Sequence, residues 1–186
     1  MKTAFLSTFL AVFILFDNSL GYTSASAWWT HITYNFQHAN IWHLLVNLIA
    51  FWCVFKSLER HIQPYKIVAI SLAVSIVCSF LTAHPTIPTV GASGMIYAMI
   101  GMLFSINGVH YLKVSKSLKK SNRSIKEHPF CFQMMFFIFC IALALIAGFF
   151  IRNSAGFLHL YCFVGGFFAM SLLSFKSFYK LKNSKI

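Results

Sequence analysis

The sequence predicts an all-α polytopic membrane protein, a bundle of six transmembrane helices. Three observations lead there. Of 186 residues, 59% are hydrophobic and only 10% charged, against roughly 25% charged in soluble domains. The mean hydropathy is +0.74, and three acidic residues cannot solubilise a surface that must cover 22 phenylalanines. Six apolar runs approach the about 20 residues that a helix needs to cross a bilayer.

The runs lie approximately at 3–16, 41–58, 66–83, 90–111, 129–151 and 156–175. Backbone polar groups in lipid must be satisfied internally, so helices are the default. Transmembrane strands alternate in polarity, and these runs do not. Neither an internal repeat nor a separate soluble segment is visible, so residues 1–186 read as a single membrane domain.

The loops orient the spans. With a cytoplasmic N-terminus, every Lys and Arg except Arg152 falls on the cytoplasmic side. The largest group is Lys113, Lys116, Lys119, Lys120, Arg123 and Lys126 between the fourth and fifth runs. The positive-inside rule therefore predicts that both termini are cytoplasmic. The same placement argues against nucleic-acid binding despite the net charge of +12, because the charges flank apolar runs instead of gathering on one face. A second reading of the start remains: Lys2, an apolar run and Ala25-Ser26-Ala27 imitate a signal peptide. Its removal would leave five helices in the same orientation.

The segment from Asp17 to Asn40 is rich in Trp28, Trp29, Tyr22, Tyr34 and Phe36, followed by Trp42. Such rings concentrate where hydrocarbon meets headgroups, so this loop is expected to lie in the interface. The five cysteines (Cys53, Cys78, Cys131, Cys140, Cys162) all fall in apolar runs and form neither a zinc spacing nor a disulfide framework. They read as small buried hydrophobes.

Intramembrane polar residues are costly and mark function. His43 and Asn47, four apart, share one face of the second span. The fourth opens with Gly91-Ala92-Ser93-Gly94, followed by Tyr97 and Gly101, and the sixth carries His159 just after its start. All three spans run from outside to inside, which places His43, Asn47, Ser93 and His159 in the outer half of the bilayer. A serine hydroxyl needs an adjacent base to become a nucleophile, and histidine suits that task near neutral pH. Gly91 and Gly94 let the backbone approach closely around Ser93, and amides at the helix start, with side chains of Asn47 and His43, could hold an oxyanion. Asp17, Glu59 and Glu127 are not placed to complete a triad, so the pattern reads as a dyad. Taken singly, a GxSG serves helix packing, a lone histidine serves a core, and a His/Asn pair serves as interhelical glue. Their coincidence at one depth favours catalysis.

HxxxN in the second span, GxSG in the fourth and His in the sixth resemble the rhomboid intramembrane serine proteases. His38 five residues before His43, Glu59-Arg60 closing the second span, Tyr97 and Gly101 after Ser93, and Gly166 seven after His159 extend the match over roughly Trp28 to Met170. The resemblance implies that Ser93 attacks a peptide carbonyl and that His159 is its general base, then general acid. Asn47, His43 and the Ser93 amide would stabilise the oxyanion, and Tyr97 would pack beside His159. It further implies a transmembrane protein substrate cut near the outer face, entering between the second and fifth spans. Phe136, Phe137 and Phe139 would then suit a lipid-facing gate. No metal or organic cofactor is implied. Three departures stand out: Thr30 where the family has Arg after Trp29, Leu158 where a small residue precedes the histidine, and Cys162 where a glycine allows tight packing. A side chain there could displace His159, and whether Thr30, Leu158 and Cys162 reduce activity is not decided by the sequence.

A catalytically silent rhomboid-like protein that binds transmembrane helices for quality control is the alternative, and retention of Ser93 and His159 speaks against it. A channel, transporter or metal-binding reading finds no ligand spacing among the histidines. Low Asp and Glu with abundant Lys, Asn, Ile and Phe suits an AT-rich bacterial genome, so the expected location is a bacterial plasma membrane.

Overall fold

A computed structural model describes residues 2–15, 20–120 and 155–183. Helix α1 spans Lys2–Leu15, α2 is the single turn Thr30–Thr33, and a 3-10 turn follows at Tyr34–Phe36. Helices α3 (Ile41–Leu58), α4 (Pro64–Leu81), α5 (Ser93–Lys120) and α6 (Gly156–Asn183) complete the described elements. Among the described residues there is no strand, only one antiparallel bridge between Tyr22 and Thr89. The expected fifth span at 129–151, with Phe136, Phe137 and Phe139, lies outside the described residues.

Local chemistry sets the helix ends. Asn40 is extended (φ −161°, ψ 170°) and its side chain accepts the His43 amide N–H at 2.9 Å, which caps α3. Pro64 sits at the first turn of α4, where a missing N–H costs nothing. This moves the start two residues ahead of the expected 66. The expected start of the next span at 90 also needs correction. Thr89 is held in the bridge to Tyr22, and Gly91 takes φ +119°, so the helix begins at Ser93.

Among the described residues, three helices carry apolar stretches long enough to cross a membrane: Ile41–Leu58, Pro64–Leu81 and Gly156–Leu173, each 18 residues. At 1.5 Å per residue, 18 residues reach about 27 Å, close to the hydrocarbon thickness. Ser93–Gly108 is a shorter apolar stretch. The chain is an integral membrane protein.

Lipid tails are as apolar as leucine, so helix association here relies on close packing and interhelical hydrogen bonds. Both are present between α5 and α6. A Cβ on Gly101 would run into the backbone of Phe163 and Phe167, and one on Gly166 into the backbone of Ala98. One turn further along, Ser105 Oγ and Ser171 Oγ are 2.9 Å apart. On the other side of α5, a core of Leu44, Phe51, Phe55, Met95, Met99 and Met102 joins it to α3. Phe9 ties α1 to the same core, with Phe36 and Phe51 at ring-centroid distances of 5.6 Å.

Candidate active site

Four chain segments meet at one end of this bundle: the starts of α3, α5 and α6, and the end of α4. Ser93 is the first residue of α5. The preceding turn is held from both sides. Tyr34 O accepts the Gly91 N–H at 2.9 Å, and the buried His38 Nε2 accepts the Ala92 N–H at 3.5 Å, the long end of hydrogen-bond range. Gly91 is required twice over. Its positive φ is one that side chains rarely adopt, and a Cβ would stand 2.7 Å from His43 Cε1.

His159 comes from the first turn of α6, its amide bonded to Ala155 O at 3.0 Å. Because the backbones of α5 and α6 touch at Gly101 and Gly166, their first turns are brought together. His159 Nε2 lies 2.9 Å from Ser93 Oγ. Tyr97, one turn into α5, stacks on the imidazole with centroids 4.4 Å apart and planes at 16°. His159 Nδ1 is buried and has no hydrogen-bond partner among the described residues. In the tautomer whose Nε2 accepts from the Ser93 hydroxyl, Nδ1 carries the ring hydrogen, and no carboxylate among the described residues holds it.

Asn47 is buried, and its amide donates to His43 O at 3.0 Å, which fixes its side chain along α3 and leaves a second N–H. Its Nδ2 lies 3.7 Å from the position a Gly91 Cβ would take. His43, Asn47 and Gly91 thus form one cluster beside the Ser93 turn. Gly94 faces the opposite way, where a Cβ would collide with Ser75 Oγ and come within 2.9 Å of the Tyr34 hydroxyl.

A family model described as the Rhomboid domain matches residues 25–176. The chain belongs to the rhomboid family. Among similar proteins, a "Rhomboid protease GlpG" of Klebsiella pneumoniae subsp. pneumoniae is 28% identical over 109 residues, 51% of this chain and 39% of the relative. A protein of the same name from Salmonella choleraesuis is 25% identical over 77 residues, 41% of this chain and 28% of the relative. This rhomboid chain therefore spans well under half the length of those relatives.

Within this rhomboid, Cys162 stands beside Gly94 and away from the tightest helix contact. Cys162 is fully buried, and its Sγ sits 3.5 Å from the Gly94 Cβ position, an ordinary van der Waals distance. The tight helix contact falls instead at Gly101 and Gly166, which face backbone. Cys162 packs in a second core with Tyr22, Tyr34, Cys78 and Leu158, and the 2.9 Å Ser93–His159 distance is kept. Leu158 is likewise buried there.

Sequence reasoning missed the polar inner face of α4. Ser71, Ser75 and Ser79 are all fully buried, and their four-residue spacing in an apolar span was the available signal. Ser79 Oγ lies 2.8 Å from His31 Nδ1, a second serine–histidine pair. It is a poor nucleophile site. Ser79 gives its proton to Ile76 O at 2.6 Å. The His31 ring is clamped between Phe80 at 3.9 Å and Tyr22 at 4.8 Å. This pair pegs the Thr30–Thr33 turn to the end of α4.

Proposed function

We propose that this rhomboid is an intramembrane serine endopeptidase that cleaves transmembrane-helix substrates near the outer membrane face. The observation that carries the reading is the 2.9 Å approach of His159 Nε2 to Ser93 Oγ across two helices. His159 takes the Ser93 proton as the hydroxyl attacks the scissile carbonyl. The Ser93 amide at the N-terminus of α5, with Asn47 and His43, stabilises the oxyanion, where a single donor is commonly worth about 2.7–4 kcal/mol. His159 then hands its proton to the leaving amine, and water completes the cycle by the same route in reverse. Gly91 and Gly94 keep the turn narrow, and Tyr97 holds the imidazole plane. Membership of the family, and the protease names of its relatives, support the reaction class.

The reading includes six spans in a single membrane domain, both termini cytoplasmic, in the plasma membrane of a bacterium. The basic loops support that orientation, since all Lys and Arg residues but Arg152 then face the cytoplasm. The substrate partner is a transmembrane protein met within the bilayer.

The test uses the full chain in detergent with a transmembrane substrate and a fluorophosphonate probe. Wild type is expected to cleave and to label at Ser93, and Ser93→Ala and His159→Ala to do neither. Cleavage that persists in Ser93→Ala removes Ser93 as nucleophile, and a folded wild type that neither cleaves nor labels favours the silent helix-binding reading.

A further inference from the structure

Tyr34 is fully buried in the 3-10 turn ahead of α3, and its two ends reach the two ends of the turn that carries Ser93. Its carbonyl accepts the Gly91 N–H at 2.9 Å. Its phenol oxygen lies 2.9 Å from the place a Cβ on Gly94 would occupy, alongside Ser75 Oγ. Residues 91 and 94 bracket Ser93, so one side chain and its own backbone define the floor on both sides of that serine.

The phenol itself has little freedom. It donates to Ser75 O at 3.2 Å and also meets Ser75 Oγ. Ser75 Oγ donates to Asn35 Oδ1 at 2.7 Å, and Asn35 Nδ2 donates to Ile32 O at 3.2 Å. With the Ser75 proton committed to Asn35, the Tyr34 proton is committed to Ser75. The chain runs in one direction and ends on a backbone carbonyl. Burial holds the Tyr34 phenol well above the ordinary tyrosine range, so it stays a donor at any working pH. The ring is fixed as well, edge-on to Tyr22 at 4.6 Å, and Tyr22 pairs its backbone with Thr89 on the approach to the same turn.

We propose that Tyr34, held by Ser75 and Asn35, is a positioning residue that sets the Gly91–Gly94 turn and thereby the direction of the Ser93 hydroxyl toward His159. This rests on the reading of Ser93 as nucleophile. Tyr34 acts through the backbone of Gly91 and the bare face of Gly94, so its loss changes orientation instead of removing a reacting group. Tyr34→Phe keeps the ring and the carbonyl bond to Gly91 and deletes only the hydroxyl.

The measurements are the rate of Ser93 labelling by a fluorophosphonate, kcat and KM on a transmembrane substrate, and the thermal midpoint, all on the full chain in detergent. Tyr34→Phe is expected to label about tenfold more slowly, with the loss in kcat and KM held within about twofold, because misplacement by a fraction of an ångström acts on the reacting geometry. Ser75→Ala is expected to move the same quantities the same way. A second arm needs neither variant to be well behaved: Gly94→Ala should abolish labelling, and adding Ser75→Ala should restore part of it by removing the colliding oxygen. A folded Tyr34→Phe that labels at the wild-type rate overturns the proposal. So does a loss that tracks the thermal midpoint alone, or a Gly94→Ala defect that Ser75→Ala leaves untouched. An unlabelled but folded wild type overturns the nucleophile reading first, and the positioning role with it.

Discussion

The Tyr97 ring lies almost flat on the His159 imidazole, with centroids 4.4 Å apart and planes at 16°. The two residues belong to different helices, and the stack fixes the imidazole in the plane that points Nε2 at Ser93. Stacked aromatic pairs contribute about 0.5–1.5 kcal/mol beyond their area. Tyr97→Phe should therefore keep most Ser93 labelling, whereas Tyr97→Ala should lose about ten- to a hundredfold in labelling rate. Labelling by Tyr97→Ala at the wild-type rate would show that the ring plane is set by something else.

The backbone contact between α5 and α6 makes the glycines unequal. Gly166→Ala would force a methyl into the Ala98 backbone, and it should lower the thermal midpoint and abolish labelling together. A Cβ on Gly108 meets nothing within 4 Å among the described residues, so Gly108→Ala should be neutral or should stabilise by about 0.5–1 kcal/mol. Thermal melts of the two variants side by side check this, and a tolerated Gly166→Ala would contradict the helix contact.

His38 carries a pH dependence. Its burial, with the nearby His43 adding to it, lowers the imidazole from 6.5 to about 4. The unfolded chain then binds more protons than the folded one between those values. Stability from this group is fully present above pH 6.5 and is lost as pH falls toward 4, by roughly 3 kcal/mol in all. Unfolding titrations of wild type and His38→Gln at pH 7.5, 5.5 and 4.5 should give a shallower slope for the variant. Equal slopes would assign the dependence to other histidines.

The two serine–histidine pairs separate by mutation. Ser79→Ala removes the His31 partner and should cost about 1 kcal/mol of stability, while Ser93 remains labelled. Ser93→Ala should do the reverse, leaving the thermal midpoint near wild type and removing the label. Loss of labelling in a folded Ser79→Ala protein would point to the wrong pair having been assigned as reactive.

Much was legible without coordinates because lipid imposes simple rules. The apolar runs at 41–58 and 156–175 correspond to α3 and to the membrane-long part of α6, since span length and backbone satisfaction follow from composition. Ser93, His159, His43 and Asn47 stood out because polar side chains in an apolar run are expensive. The start of α5 was misplaced by three residues because a positive φ at Gly91 and a bridge to Tyr22, 67 positions away from Thr89, leave no local trace. The packing of Cys162 was not legible for a related reason. The face of α6 that meets α5 in backbone contact is chosen by how Gly101 and Gly166 nest, and spacing alone does not say which small residue does the nesting.

By itself the sequence determined the solvent of this protein, its helical state and the inventory of polar side chains within its apolar runs, because those depend on counts and on period along one chain. Only the tertiary structure decided that Ser93 and His159 lie 2.9 Å apart, that Tyr34 and Ser75 form the floor beneath Gly94, and that His31 and Ser79 make a peg. Those are distances between segments tens of residues apart, and they arise from which surfaces pack, a property that no single stretch of sequence carries.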